Sequence, residues 1–159
     1  MVSPHLPFLR QAIEKAKESL AQGGFPAGAV VVRKGAVIGT GISIGNKLND
    51  PTSHGEMAAI RDACQNIRAA DLSGCVLYAS MQPCLMCFSA SMWAAIPKIV
   101  FAARKEKVSV EYYAGDYLIS DINSQFIKPI ELIHIAELEQ ESLTVVRDWE
   151  HEQTSRGAH

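Results

Sequence analysis

The hydrophobic pattern of this 159-residue chain predicts an α/β fold, a three-layer α/β/α sandwich around a mixed five-stranded sheet. Two observations carry that expectation. Apolar runs of strand length alternate with segments of helical period, in the order α-β-β-α-β-α-β-(α)-β-α. The first two runs are split only by Lys34-Gly35, as in a hairpin, whereas the later ones are separated by helices.

Each element has its own signal. Phe8, Leu9, Ala12, Ile13, Ala16 and Leu20 recur at helical spacing within 7–20, and Gly23-Gly24 stops that helix. The hairpin strands cover 29–32 and 37–40. A polar loop over 45–53 leads into a helix over 54–66, with Asp50 and Ser53 as candidate N-caps and Pro51 near the helix start. A strand over 75–79 precedes a helix over 84–95 that Pro97 ends, and a third central strand follows over 98–103. Residues 106–120 read as partly helical, 130–135 as a strand and 137–150 as a closing helix. One domain is expected over residues 1–153, with a disordered tail over 154–159.

Composition narrows the class. Apolar residues make up 48% and charged residues 20%, an ordinary globular balance, and the formal net charge of −2 argues against a broad basic surface for nucleic acid. No basic start with an apolar core opens the chain, and no apolar run approaches the roughly 20 residues of a membrane span, so a cytoplasmic setting is expected. Of the four cysteines, Cys64 and Cys75 read as small buried hydrophobes.

The other two belong to a split motif: His54-Gly55-Glu56, then Pro83-Cys84-Leu85-Met86-Cys87. This is the H-x-E…P-C-x-x-C pattern of a base-deaminase zinc site. One imidazole and two thiolates give zinc three protein ligands and leave the fourth tetrahedral position for water, the count of a catalytic site. Cys84 and Cys87 share a helix face at a helix N-terminus, where thiolate is favoured over thiol. Alone, the C-x-x-C pair would equally suit a thiol redox couple. Glu56 has a competing reading as a solvent-facing carboxylate. Residues two apart do not share a helix face, so a role beside His54 requires an irregular first turn. In that role Glu56 takes a proton from the zinc-bound water and delivers it to the ring nitrogen and departing amine. His134 reads as core packing or an edge position, and Trp93 as core.

With these residues in view, the stretch 24–104 resembles the cytidine-deaminase-like zinc hydrolases, and Phe25-Pro26-Ala27-Gly28-Ala29-Val30 resembles their first-strand entry. Asn49-Asp50-Pro51-Thr52-Ser53-His54 and Leu77-Tyr78-Ala79-Ser80 are similar to the bacterial guanine deaminases, as are Trp93-Ala94 and Ala114-Gly115-Asp116. Gly55 and Arg147-Asp148-Trp149-Glu150 are instead similar to fungal-type cytosine deaminase, with Glu152 a possible match to its acidic residue after the tryptophan. The chain departs from the family at Ser43, where an asparagine commonly binds the base, at Gln82 before Pro83, and in the loop over 108–117. Asn46 or Asn49 is a possible substitute for the asparagine.

The resemblance implies a homodimeric, zinc-dependent deaminase of a small amino-substituted heterocycle, with one zinc per chain and free guanine the leading substrate. Catalysis would rest on Glu56 and the metal on His54, Cys84 and Cys87. Phe25, Ser43, Asn46, Gly55, Asp116 and Trp149 would form the substrate pocket, Asp116 reading ring N–H or amino groups and Trp149 or Phe25 stacking on the base. Cytosine, a pterin or a triazine is the alternative substrate. A tRNA adenosine deaminase comes third, since Lys98, Arg104, Lys105 and Lys107 form the one candidate basic cluster. A zinc-stabilised scaffold without catalysis is the rival of another class.

Overall fold

The computed structural model describes residues 2–157. Helix α1 (Leu6–Ala21) leads into the hairpin β1 (Phe25–Arg33) and β2 (Ala36–Ser43), then the short α2 (Gly45–Leu48) and the longer α3 (Gly55–Ile67). Strand β3 (Cys75–Met81), α4 (Leu85–Trp93) and β4 (Lys98–Ala103) follow. Two 3-10 turns, α5 (Ile119–Asn123), β5 (Glu131–His134), a third 3-10 turn and α6 (Glu139–Gly157) complete the described residues.

The five strands lie in the order β2-β1-β3-β4-β5. β1 pairs antiparallel with both β2 and β3, while β3, β4 and β5 run parallel, so the sheet is mixed as expected. Alternate residues of β1 feed two cores. Val30 and Val32 pack with Leu9, Ile13, Leu138 and Val145 on the α1/α6 face. Ala29 and Val31 pack with Ala59, Ala63 and Phe88 on the α3/α4 face. A strand buried on both faces needs an uninterrupted apolar run, which is what β1 provides.

Two glycines set how deeply the helices sit. A Cβ on Gly41 would lie 2.1 Å from the Gly55 carbonyl oxygen, and one on Gly28 would lie 2.4 Å from the Ala16 nitrogen. Bare backbone there lets α3 and α1 rest directly on the hairpin, and α3 brings the His54-Glu56 segment down with it.

Several expectations are corrected. Trp93, read as core, is 81% exposed, because α4 stops at Trp93 and turns that edge outward. Ala95 lies beyond the helix in the left-handed region, with φ +62°. The expected N-cap for α3 moves from Asp50 and Ser53 to His54; Asp50 instead accepts hydrogen bonds from the Thr52 backbone and hydroxyl at 2.9 and 2.6 Å. Residues 154–157, read as tail, continue α6 as exposed helix, while 158 and 159 lie outside the described residues. Other readings agree with the structure: His134 takes the edge position, on strand β5, with Nε2 2.9 Å from the Ala102 carbonyl oxygen and 3.2 Å from a Glu139 carboxylate oxygen. Cys64 and Cys75 are free thiols packed in the core.

Candidate active site

Two helix starts converge at one end of the sheet. His54 and Cys84 are the residues immediately before α3 and α4, and both have extended backbone, with ψ 163° and 173°. That resolves the spacing problem at Glu56. His54 is not part of the helix, so its side chain does not follow helical periodicity, and Glu56, the second helical residue, is buried behind it.

The imidazole Nδ1 of His54 lies 3.5 Å from the Cys84 sulfur and 3.6 Å from the Cys87 sulfur. A tetrahedral zinc bound at about 2.1 Å to nitrogen and about 2.3 Å to sulfur separates such donors by about 3.6 Å. The donor set therefore fits the ion in both chemistry and spacing. Among the described residues it is the one cluster of three or more His, Cys, Asp or Glu donors close enough to share a metal.

The electrostatics are those of charged groups crowded out of water. Burial, reinforced by the charge of Cys84, raises the Glu56 carboxyl to about 7. A hydrogen bond from Cys87 holds the Cys84 thiol down to about 4, and the same bond, with burial, pushes the Cys87 thiol up. The hydrogen bond to Cys84 raises His54. The two sulfurs thus contend for one proton, a competition that a divalent cation ends by taking both as thiolates.

In front of these groups opens a cleft of about 460 Å³. Phe25, Ser43, Asn46, His54, Glu56, Cys84 and Trp149, all singled out from sequence, line it. Asn46 donates its amide to the Gly23 carbonyl at 3.0 Å. Asn49 and Glu152 are not among the lining residues. Gly55 is not either; it packs on β1, where an added Cβ would come within 3.0 Å of the Gly28 Cα. Asp116 lies away from the cleft as well, with its side chain 92% exposed and its carboxylate 3.6 Å from the Lys105 Nζ.

Sequence reasoning missed Tyr112, Tyr113, Gln82, Gln153 and Arg156, all of which line the cleft. The Tyr112 and Tyr113 pair inside an otherwise polar loop was the available signal. Phe25, Tyr112 and Trp149 meet edge to face, with centroids 5.1–5.8 Å apart, and roof the cleft. The Tyr112 hydroxyl donates to Glu150 at 2.9 Å, and burial together with that carboxylate pushes its pKa up to about 12.

Known proteins share this arrangement. Residues 2–103 match the family model described as the cytidine and deoxycytidylate deaminase zinc-binding region. The chain is 41% identical over 128 residues to guanine deaminase of Bacillus subtilis, covering 80% of each protein. It is 38% identical over 100 residues to the tRNA-specific adenosine deaminase of Aquifex aeolicus, covering 63% of this chain and 66% of that one, just under two thirds. Its fold superposes on guanine deaminase from Nitrosomonas europaea with a TM-score of 0.81 at 23% identity, covering 94% of this chain and 85% of that one. The chain belongs to the zinc-dependent deaminases of the cytidine and deoxycytidylate deaminase family.

Proposed function

We propose that this protein hydrolyses the exocyclic amine of a free amino-substituted base, guanine foremost, releasing ammonia and leaving a carbonyl. The roof of the cleft carries this reading. Phe25, Tyr112 and Trp149 pack edge to face beside His54 and Glu56 in a cleft of about 460 Å³, ample for one flat heterocycle, and offer it an aromatic wall. The length of the match to the Bacillus guanine deaminase supports it too, since that match runs over 128 residues against 100 for the Aquifex tRNA deaminase. Arg156 is the only lysine or arginine among the lining residues, too little charge to hold a polyanion.

His54, Cys84 and Cys87 would hold the zinc, which would supply the Lewis acidity that makes hydroxide available near neutral pH. Glu56 takes the proton released when water is deprotonated, gives it to the ring nitrogen as the amine-bearing carbon becomes tetrahedral, and then carries the proton of the added hydroxyl to the departing amine, leaving the carbonyl and ammonia. Its burial keeps the carboxyl ready to hold a proton between those steps. Ser43 and Asn46 line the cleft, and the hydroxyl of Ser43, shorter than the asparagine common in the family, suits a heterocycle other than guanine as the alternative substrate.

A homodimer belongs to the same reading. Trp93 and Leu85 leave an exposed apolar face on α4 that a second copy would cover. Sedimentation of the wild type beside Trp93→Glu tests it: a dimer lost in the variant supports it, and a monomeric wild type overturns it.

Ammonia release from free bases, nucleosides and a tRNA anticodon stem-loop, with metal-quantified wild type beside Glu56→Ala, decides the substrate. Guanine turnover, lost in the variant with zinc retained, is expected. Turnover of cytosine or of the stem-loop alone would replace the substrate and keep the chemistry; turnover unaffected by the variant would remove Glu56 from its role.

A further inference from the structure

The segment Gln82-Pro83-Cys84 joins the end of β3 to Leu85, the first residue of α4, and it belongs to neither element. Pro83 has no N–H to anchor it. A metal donor on such a connector holds its position only if other parts of the molecule fix its neighbours. Residues 103–117 do so. The Gln82 backbone N–H donates to the Ala103 carbonyl at 2.7 Å, and the Tyr113 hydroxyl donates to the Gln82 carbonyl at 2.7 Å. The Lys105 N–H donates to the Gln82 side-chain oxygen at 2.9 Å. On the other side of Cys84, the Leu85 N–H donates to the Tyr117 hydroxyl at 2.9 Å.

Cys84 is therefore held between two fixed neighbours. Lys105 reinforces the hold: its Nζ donates to the Tyr117 carbonyl and lies 4.5 Å from the centre of the Tyr117 ring, with Asp116 beside it at 3.6 Å. Asp116, expected to reach the substrate, helps instead to tether this brace.

We propose that Tyr113 and Tyr117 are positioning residues for Cys84, setting zinc affinity from outside the ligand set. The proposal rests on the assignment of zinc to His54, Cys84 and Cys87. Hydrogen-bond partners that orient metal ligands typically change affinity by about 10- to 100-fold when removed. The bond from Leu85 matters most, because it fixes the first residue of the same helical turn that carries Cys87.

The test is zinc competition with a chromophoric chelator for wild type, Tyr117→Phe and Tyr113→Phe, with visible spectra of the cobalt-substituted proteins and melting of the zinc-free forms. Tyr117→Phe keeps the ring over Lys105 and removes only the acceptor. The expected result is zinc binding weaker by about 10-fold in each variant, shifted cobalt bands and an unchanged zinc-free melting temperature. Zinc affinity within about twofold of wild type with unshifted bands overturns the proposal. So does an affinity loss matched by a fall in zinc-free melting, which would mark a general loss of structure. A His54→Ala control that binds zinc like wild type would instead overturn the metal assignment.

Discussion

His54, Glu56, Cys84 and Cys87 come from two short stretches, each at the start of a helix, whereas Phe25, Tyr112 and Trp149 come from three elements spread over most of the chain. The first set needs only a strand end, an extended residue and one helical turn to point its donors inward. The second needs β1, the loop after β4 and α6 to meet. The metal donors of this molecule are assembled locally, and the aromatic wall proposed for recognition is assembled over long range. Substitutions should separate the two.

The largest effect is expected at the metal. Cys87→Ala removes one of three donors, and metal analysis should show zinc falling well below one per chain, with turnover lost. Glu56→Gln comes next: zinc stays bound while kcat falls by about 10²- to 10⁴-fold, the usual worth of a positioned acid–base group. If zinc is lost as well, Glu56 is part of the metal wall and not a proton carrier.

On the roof, effects should be smaller and fall on KM. Trp149→Ala removes an aromatic surface and two edge-to-face contacts, and steady-state kinetics should show kcat/KM lower by about 10-fold with zinc unchanged. An equal loss of zinc would show that the two walls are not independent. Tyr112→Phe deletes only the hydroxyl that reaches Glu150, and should raise KM by about two- to fivefold.

The smallest effect on activity is expected at Glu139, which lines neither wall. Glu139 takes a forked pair of hydrogen bonds from Arg104 at 2.9 Å, and that guanidinium holds its carboxyl down to about 2, well below the ordinary carboxylate range. A carboxyl depressed on folding adds stability above its unfolded value and loses it as pH falls toward the folded one. Glu139→Gln should therefore melt several degrees below wild type at neutral pH, and the gap should close between about pH 4.5 and 2. A constant gap would assign the loss to packing.

The same division explains what could be read from the sequence. The order of strands and helices follows from apolar periodicity, and the metal donors follow from residue types at fixed spacing, both properties of neighbouring positions. Trp93 was misread because helical period places it on the chain without saying which neighbours cover it. Asp116 was assigned to the substrate, whereas its exposed carboxylate lies beside Lys105, a partner 11 positions earlier that no local pattern reveals. The helix over 154–157 carries polar residues with no apolar stripe, so nothing in its composition separates it from a tail. Gln153 and Arg156 reach the cleft only because α6 runs past the point where its apolar contacts end.

Order along the chain also has a consequence in time. His54, Cys84 and Cys87, with β1 to β4, all precede the segment that supplies Trp149. Synthesis proceeds from the N-terminus, so the metal donors leave the ribosome while the last helix is still being made. The donors of the metal site are therefore all present in the growing chain before Tyr112 and Trp149, which roof the cleft, have been added.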